Sequence, residues 1–291
     1  MIAVLADIHG NLPALDAVLA DLPAISGVWV LGDTIGELPW PCQVLDRLFE
    51  LARRLPVTFV AGNRELSLME ARDGRHPDWW LGRQMRPLAW TADCLRPHHW
   101  ETLRAWPISL ALEDAPGGAL LFHGSPRDVR GLIRTRESAE DVTRGSRQRW
   151  LAGGHSHLTR LYLIGEQALI SAGSVGIPLE GVGGVAAYAL IDEARMPGAC
   201  GSVAFRQVAY DVEAAIASLQ RSELAELAPG ITRAVTLELR TGIHHMLSLV
   251  AFCNAHAERA LGRNPGNIPI DLWREAEPLW NGAPWRGYSP K

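Results

Sequence analysis

The beginning of the chain alternates short runs of apolar residues with longer stretches in which apolar residues recur at helical spacing. Residues 2–6, 28–31 and 57–60 form apolar runs of the length expected for buried strands. The stretches between them predict helices, one after the capping residue Asn11 and one over residues 42–53. Since parallel strands need a crossover connection, this alternation predicts β-α-β units.

The pattern changes twice further along the chain. Residues 65–106 lose the strand signal, are rich in tryptophan and show helical stretches between prolines, which predicts a helical insertion. Short apolar runs joined by glycine-rich turns then return up to residue 208 and predict strands that are partly antiparallel. These predicted strands cover residues 119–122, 149–152, 161–164, 168–171, 185–191 and 203–208.

The last part of the chain is helical in pattern, with one long helical run over residues 231–261. We therefore predict a core of residues 1–210 and a C-terminal helical appendage of residues 211–291. No internal repeat or low-complexity tract interrupts either part.

Composition and charge narrow the class of protein. With 47% hydrophobic and 21% charged residues, the chain has the composition of an ordinary globular protein. The net charge of −4 gives no general attraction to nucleic acid or anionic lipid, so a nucleic-acid partner is not expected. No apolar stretch approaches the roughly 18 residues of a membrane span, and Asp7 follows the start too soon for a signal peptide. We expect a cytoplasmic protein with no membrane partner, and homo-oligomer formation stays open.

Five of the apolar runs end in residues that can bind a metal ion. These ends are Asp7-Ile8-His9, Gly32-Asp33, Gly62-Asn63, His123-Gly124 and Gly154-His155-Ser156-His157. In sheets with parallel strands, ligands gather at the carboxyl ends of the strands, so the five ends are expected to face one crevice. In extended backbone, residues two apart point to the same face, so each pair of ligands could grip one site.

The set of donors indicates which ions would bind. Two carboxylates, one amide oxygen and four imidazoles are too rich in nitrogen for calcium or magnesium, and they lack the thiolates of structural zinc sites. Divalent Mn, Fe, Zn, Co or Ni fits best. Seven donors exceed the need of one catalytic ion, which predicts two ions roughly 3.5–4 Å apart with one carboxylate bridging them.

The order of these motifs, D-x-H, G-D, G-N, H-G and G-H-x-H, resembles the calcineurin-like metallophosphoesterase superfamily. Residues 172–176, Ala-Gly-Ser-Val-Gly, are similar to an element of its small bacterial phosphodiesterases. The resemblance covers roughly residues 1–210. It implies an α+β or α/β fold, a four-layer α/β/β/α sandwich of two mixed β-sheets flanked by helices.

The resemblance also implies a role for each motif residue. Asp7, His9 and His157 would bind one ion. Asn63, His123 and His155 would bind the other, and Asp33 would bridge the two ions. A hydroxide between the ions would attack phosphorus, with Asp33 and His123 among the catalytic residues. The implied function is hydrolysis of a phosphate ester in a small phosphorylated substrate, with a phosphodiester as the preferred ester.

Two positions refine this expectation. Arg64 stands where many members of the superfamily have a histidine that serves the leaving group. An arginine does not give up its proton at neutral pH, so we assign Arg64 to catalysis through contact with substrate phosphate. Arg127 opens an arginine-rich segment, residues 127–149, and is the second predicted substrate-binding residue, although a solvated helix face explains that segment equally well.

Other functions stay open at this stage. A protein phosphatase is disfavoured because Gly32-Asp33 lacks a following arginine, and a phosphomonoesterase is a close alternative. A non-catalytic protein that binds metal or nucleotide is a third reading, and a nuclease is disfavoured by the acidity of the chain. We interpret His98, His99, His244 and His245 as surface or packing residues.

Overall fold

A computed structural model describes residues 1–75, 82–199 and 201–286. The tryptophan pair at 79–80 in the predicted insertion lies outside the described residues. Among the described residues there are ten strands. They are β1 (Ile2–Leu5), β2 (Gly27–Val30), β3 (Val57–Phe59), β4 (Ser109–Leu112), β5 (Ala119–Phe122), β6 (Trp150–Gly153), β7 (Thr159–Ile164), β8 (Gln167–Ala172), β9 (Val185–Ile191) and β10 (Val203–Ala209).

The helices of the described residues follow in chain order. They are α1 (Leu12–Asp21), α2 (Pro41–Ala52), α3 (Asn63–Arg72), α4 (Arg86–Cys94), α5 (Pro97–Ala105), α6 (Arg136–Arg144), α7 (Val212–Arg221), α8 (Leu224–Leu227), α9 (Pro229–Thr241), α10 (Met246–Leu261) and α11 (Ile270–Ala276). Short 3-10 turns lie at Arg83–Met85 and Glu277–Leu279.

The strands form two mixed sheets. The first has the order β10-β9-β1-β2-β3, in which β1, β2 and β3 are parallel and β9 is antiparallel to β1 and β10. The second has the order β4-β5-β6-β8-β7, in which β5, β6 and β8 are parallel and the edge strands β4 and β7 are antiparallel. In each sheet, the three parallel strands therefore have their carboxyl ends on the same side of the sheet.

The two sheets pack face to face. Trp29 of the first sheet and Trp150 of the second belong to one buried apolar cluster between them. The outer face of the first sheet is covered by α1 and α2, whose Leu15 and Leu48 join a second cluster. The outer face of the second sheet contacts α6 through Ala139. Burial of apolar surface on both sides stabilises these layers, and the predicted four-layer sandwich is confirmed.

One strand that was not predicted and two sequence predictions need comment. Strand β4 (Ser109–Leu112) was not predicted, because its four residues show no clear alternation. The predicted single helical run over 231–261 is wrong: α9 ends at Thr241, Gly242 adopts a left-handed φ of 64°, and α10 begins at Met246. The boundary near residue 210 stays a prediction, since one apolar cluster joins Leu38 and Ile177 of the core to the C-terminal helices.

Candidate metal centre

The loops after β1, β2, β3, β5 and β6 meet at one place between the two sheets. Backbone hydrogen bonds hold the first two loops together, because Asp7 N–H donates to Gly32 O at 3.1 Å and His9 N–H donates to Asp33 O at 2.8 Å. In the second sheet, Gly154 N–H donates to His123 O at 2.8 Å. The predicted convergence of the five strand ends is thus what the backbone shows.

The backbone is strained at most of the predicted ligands. Among the described residues, the non-glycine residues with positive φ are Asp7, His9, Asp33, His155 and His157. Each such conformation costs on the order of 1–3 kcal/mol and persists only where surrounding contacts impose it, typically at functional sites. The expectation of extended backbone within the two ligand pairs is therefore wrong, since φ lies between 52° and 63° at His9, His155 and His157.

The ligand atoms form two groups that share Asp7. In the first, His157 Nε2 lies 3.4 Å and His9 Nε2 3.9 Å from Asp7 Oδ1, and the two imidazole nitrogens are 3.1 Å apart. In the second, His123 Nε2 lies 3.8 Å from Asp7 Oδ1 and 3.6 Å from Asp33 Oδ1. Each group brings three possible ligand atoms within 4.8 Å of one another.

Asp33 and Asn63 complete these groups. Asp33 directs its other oxygen to the first group, with Oδ2 3.9 Å from His9 Nε2, so this carboxylate reaches both groups. Asn63 Oδ1 lies 3.1 Å from His123 Nε2. His155 lies beside the second group. Its backbone N–H donates to Asp7 Oδ2 at 2.8 Å, and its ring centroid is 5.0 Å from that of His123. All seven predicted ligands are gathered, and ligation itself stays a prediction.

Three of the histidines have their rings oriented by partners behind them. His123 Nδ1 contacts Leu31 O at 2.7 Å, and His157 Nδ1 contacts Ile177 O at 2.6 Å. A carbonyl oxygen only accepts, so each Nδ1 carries the proton and each Nε2 offers its lone pair to the centre. His9 Nδ1 lies 2.8 Å from Glu37 Oε2, an ion-pair contact that also limits the orientation of the ring. Such outer partners fix ring orientation in metal sites.

The electrostatics of the centre are those of a site built for cations. Asp7 Oδ1 is buried and has no hydrogen-bond donor among the described residues. Burial raises the pKa of Asp7 to about 7, although His123 opposes the change. Burial, followed by the charge of His123, lowers the pKa of His155 to about 4, and burial with the charge of His9 lowers the pKa of His157. The neutral imidazoles of His155 and His157 and the orphaned carboxylate oxygen fit divalent ions. Against the effect of burial, Glu37 raises the pKa of His9 to about 9, so His9 must lose a proton to bind an ion.

Glu65 holds two of the loops and was not predicted. Its buried carboxylate accepts hydrogen bonds from Asp33 N–H at 2.9 Å, Thr34 N–H at 2.8 Å, Thr34 Oγ1 at 2.7 Å and Gly62 N–H at 2.8 Å. These bonds join the end of β2 to the start of α3, which carries Asn63. The signal available in the sequence was a glutamate at the third position of a helix, where it can reach back to the capping residue.

The Ala-Gly-Ser-Val-Gly element supports the first loop. Ser174 Oγ donates to Asp7 O at 2.8 Å, and Gly176 N–H donates to the same oxygen at 2.9 Å. The next residue, Ile177, supplies the carbonyl that accepts from His157. This element thus positions ligands from two different sheets.

Arg64 and Glu37 form an ion pair at the rim of the centre. Arg64 Nη2 contacts Glu37 Oε1, and Arg64 Nε lies 4.0 Å from Asp33 Oδ2. Burial by itself would raise the pKa of Glu37, but Arg64 and His9 hold that pKa at about 2. Glu37 was not predicted. The side chain of Arg64 is 26% exposed and lines the cavity, and its contact with substrate phosphate stays a prediction.

A cavity of about 200 Å³ opens above the ligand atoms. One wall carries His9, Asp33, Asn63, Arg64, His155 and His157. The facing wall includes Glu238, His244, Met246 and Leu247 from the C-terminal helices, and Arg134 contributes from the arginine-rich segment. Arg127 is exposed and is not among the described lining residues, so its substrate contact stays a prediction.

Comparison with models of known protein families finds a match for this chain. The profile of the calcineurin-like phosphoesterases matches residues 1–176, which include every predicted metal ligand. The chain belongs to the calcineurin-like phosphoesterase family. That match confirms the resemblance noted in the sequence, and calcineurin-like phosphoesterases are hydrolases that typically bind divalent metals.

Alignments with similar proteins cover most of this calcineurin-like phosphoesterase. Protein MJ0912 of Methanocaldococcus jannaschii is 26% identical over an alignment of 246 residues, which covers 78% of this chain and 94% of that protein. Among solved structures, hypothetical protein PH1004 from Pyrococcus horikoshii has a TM-score of 0.69 at 23% identity, covering 84% of this chain and all (100%) of that one. A metallophosphoesterase from Sphaerobacter thermophilus has a TM-score of 0.63 at 23% identity, covering 83% and 98% of the two chains. These likenesses show the fold.

Among the residues that the structure describes, every helix is too short or too polar to cross a lipid bilayer.

Proposed function

We propose that this calcineurin-like phosphoesterase hydrolyses a small phosphate ester with the help of two divalent transition-metal ions, and that a phosphodiester is its preferred substrate. The observation that carries the proposal is the pair of ligand groups that share Asp7. Asp33 reaches both groups with separate oxygens, as a bridging carboxylate would. Divalent Mn, Fe, Zn, Co or Ni suits this mixture of oxygen and imidazole donors.

We assign the residues of the centre to metal binding and to positioning of the ligands. Asp7, His9 and His157 would hold one ion, and Asn63, His123 and His155 the other, with Asp33 between them. When bound, the two ions would supply an activated water and positive charge against the phosphate oxygens. Glu37, Leu31 and Ile177 keep the imidazoles turned toward the centre. Glu65 prevents the loops that carry Asp33 and Asn63 from separating.

The rim of the cavity supports a small anionic substrate. Arg64 and Arg134 line it, and guanidinium groups bind phosphate oxygens in a fork geometry. The volume of about 200 Å³ is below the roughly 300–1,000 Å³ of sites for larger organic ligands. A small phosphorylated molecule therefore fits the proposal better than a nucleic acid does, and a compact phosphomonoester is the second candidate because of that volume.

Reconstitution with metal tests the proposal. The protein would be stripped with a chelator, reloaded separately with Mn²⁺, Fe²⁺, Zn²⁺, Co²⁺ and Ni²⁺, and assayed on bis-p-nitrophenyl phosphate and p-nitrophenyl phosphate. We expect turnover only in reloaded protein, faster on the diester, and two bound ions per chain by elemental analysis. Turnover faster on the monoester would favour the second candidate.

The matched variant is Asp33→Asn, with the exposed Arg144→Ala as control. If no reloaded sample hydrolyses either ester and Asp33→Asn binds metal as the parent does, the proposed function is wrong. Turnover that persists in protein shown to be free of metal would also contradict it.

A further inference from the structure

The C-terminal helices bring a histidine and a glutamate to the cavity. His244 Nδ1 lies 2.7 Å from Glu238 Oε1, and the Glu238 side chain is only 3% exposed. The same carboxylate oxygen accepts hydrogen bonds from His245 N–H at 2.8 Å and Met246 N–H at 2.7 Å. A buried carboxylate with three donors holds a fixed position, so it also fixes the orientation of the His244 ring.

The turn between α9 and α10 brings this pair to the cavity that the predicted metal ligands also line. Gly242 ends α9 in left-handed backbone, and a Cβ there would lie 2.5 Å from Val182 N and O. The chain therefore reverses at Gly242, and His244 comes to line the same cavity as His155 and His157.

The remaining polar groups of the cavity are poorly suited to proton transfer. Arg64 and Arg134 carry guanidinium groups, which bind phosphate oxygens and do not serve as proton donors to a leaving group. Glu37 is held between His9 and Arg64. Ester cleavage needs a proton at the leaving oxygen whenever that oxygen is strongly basic, and imidazole is the side chain that most often provides it. In a cavity of about 200 Å³, an ester held by the ligand wall also faces the wall that carries His244.

We propose that His244 is a further catalytic residue, which gives a proton to the leaving oxygen of the ester, and that Glu238 is its positioning residue. This inference rests on the proposed phosphoesterase function and deepens it. It assigns to the C-terminal helices a chemical role in a reaction whose metal ligands all lie in the two-sheet core.

The step balances as follows. The oxygen of the attacking water forms a new bond to phosphorus, and the bond from phosphorus to the leaving oxygen breaks. The electron pair of the broken bond goes to the leaving oxygen, which takes a proton from His244 Nε2, while Glu238 holds the Nδ1 proton. The proton lost by the water returns to His244 through solvent before the next turnover.

A leaving-group series tests this role. For metal-loaded His244→Gln, we expect turnover of methyl p-nitrophenyl phosphate, which releases p-nitrophenolate, to stay within about tenfold of the parent. Turnover of methyl phenyl phosphate, whose phenolate is more basic, should fall by roughly a hundredfold or more. His256→Gln is the matched control, because His256 of α10 also pairs with a glutamate, Glu275, at 3.2 Å but is not among the residues lining the cavity.

Chemical rescue and metal content complete the test. Added imidazole should restore turnover of the phenyl ester in His244→Ala. Glu238→Gln should reproduce the leaving-group dependence of His244→Gln, while both variants keep the metal content of the parent. Equal losses on the two esters, without rescue, would show a structural role and overturn the inference. An active parent with unaffected His244 variants would refute the inference alone, whereas an inactive parent would refute the proposed function.

Discussion

One wall of the cavity consists of loops at strand ends, and the facing wall consists of two helices joined by a glycine turn. The strand-end wall concentrates backbone strain, since Asp7, His9, Asp33, His155 and His157 all have positive φ. The helical wall has ordinary backbone apart from Gly242 and places its polar pair through one buried carboxylate, Glu238. We infer that the first wall is built to hold ions rigidly and the second to face the substrate.

The largest expected effect comes from removing the Asp33 carboxylate, whose two oxygens reach both ligand groups of the strand-end wall. Asp33→Asn should lower metal-dependent turnover of every ester by on the order of 10³-fold, because stabilisation by a bound ion contributes several kcal/mol to the transition state. Elemental analysis of the purified variant should show less metal than in the parent. If Asp33→Asn keeps the metal content and the activity of the parent, the assignment of the strand-end wall to metal binding is wrong.

The turn of the helical wall should be the next most sensitive point. Gly242→Ala places a Cβ 2.5 Å from Val182 backbone atoms in left-handed backbone, so we expect a loss of roughly 2–5 kcal/mol of stability. Thermal denaturation would measure this loss. Gly262→Ala is the matched control, since Gly262 has a similar φ of 67° but no atom within 4 Å of the added Cβ. Equal losses in both variants would contradict the role of the Val182 contact.

A smaller effect is expected from substituting Glu37, which contacts the predicted ligand His9. Glu37→Gln keeps the shape of the side chain but removes the charge that faces His9 Nδ1 at 2.8 Å. We expect metal affinity to fall by about 10–100-fold, as is usual when an outer partner of a ligand is changed. Competition with a chromophoric chelator would measure it. Glu50→Gln, which alters an exposed pair with Arg54, should leave the affinity as it is.

The smallest effect is expected from a substitution in α6, an outer helix that contributes no described residue to either wall of the cavity. Arg144 pairs with Asp141 at 3.1 Å, and its side chain is 74% exposed. Arg144→Ala should change the free energy of unfolding by less than about 0.5 kcal/mol, because solvent screens such pairs. Urea denaturation would measure this change. A larger loss would mean that α6 couples to the centre through the second sheet.

The residues of the strand-end wall were largely predictable, because the candidate ligands belong to short local motifs. Asp7, Asp33, Asn63, His123 and His155 each lie within four residues of the end of a strand, and parallel strands bring such ends together. The local geometry was less predictable, since positive φ at non-glycine residues arises from contacts between loops.

The helical wall was missed because no local pattern marks it. His244 lies 87 positions beyond His157 in the sequence, and its position in the cavity depends on the break at Gly242. A glycine inside a helical run was the available signal, and it was not used. Glu37 carried no recognisable signal, because its role comes entirely from contact with His9 and Arg64.

The amino-acid sequence by itself determined the donors, their order along the strands and the kind of ion that they suit, because strand periodicity and ligand chemistry act over a few residues. Tertiary structure alone decided which partner orients each imidazole and which helices close the cavity. Those properties depend on distances between side chains far apart in the chain, and they are set only when the sheets and helices pack.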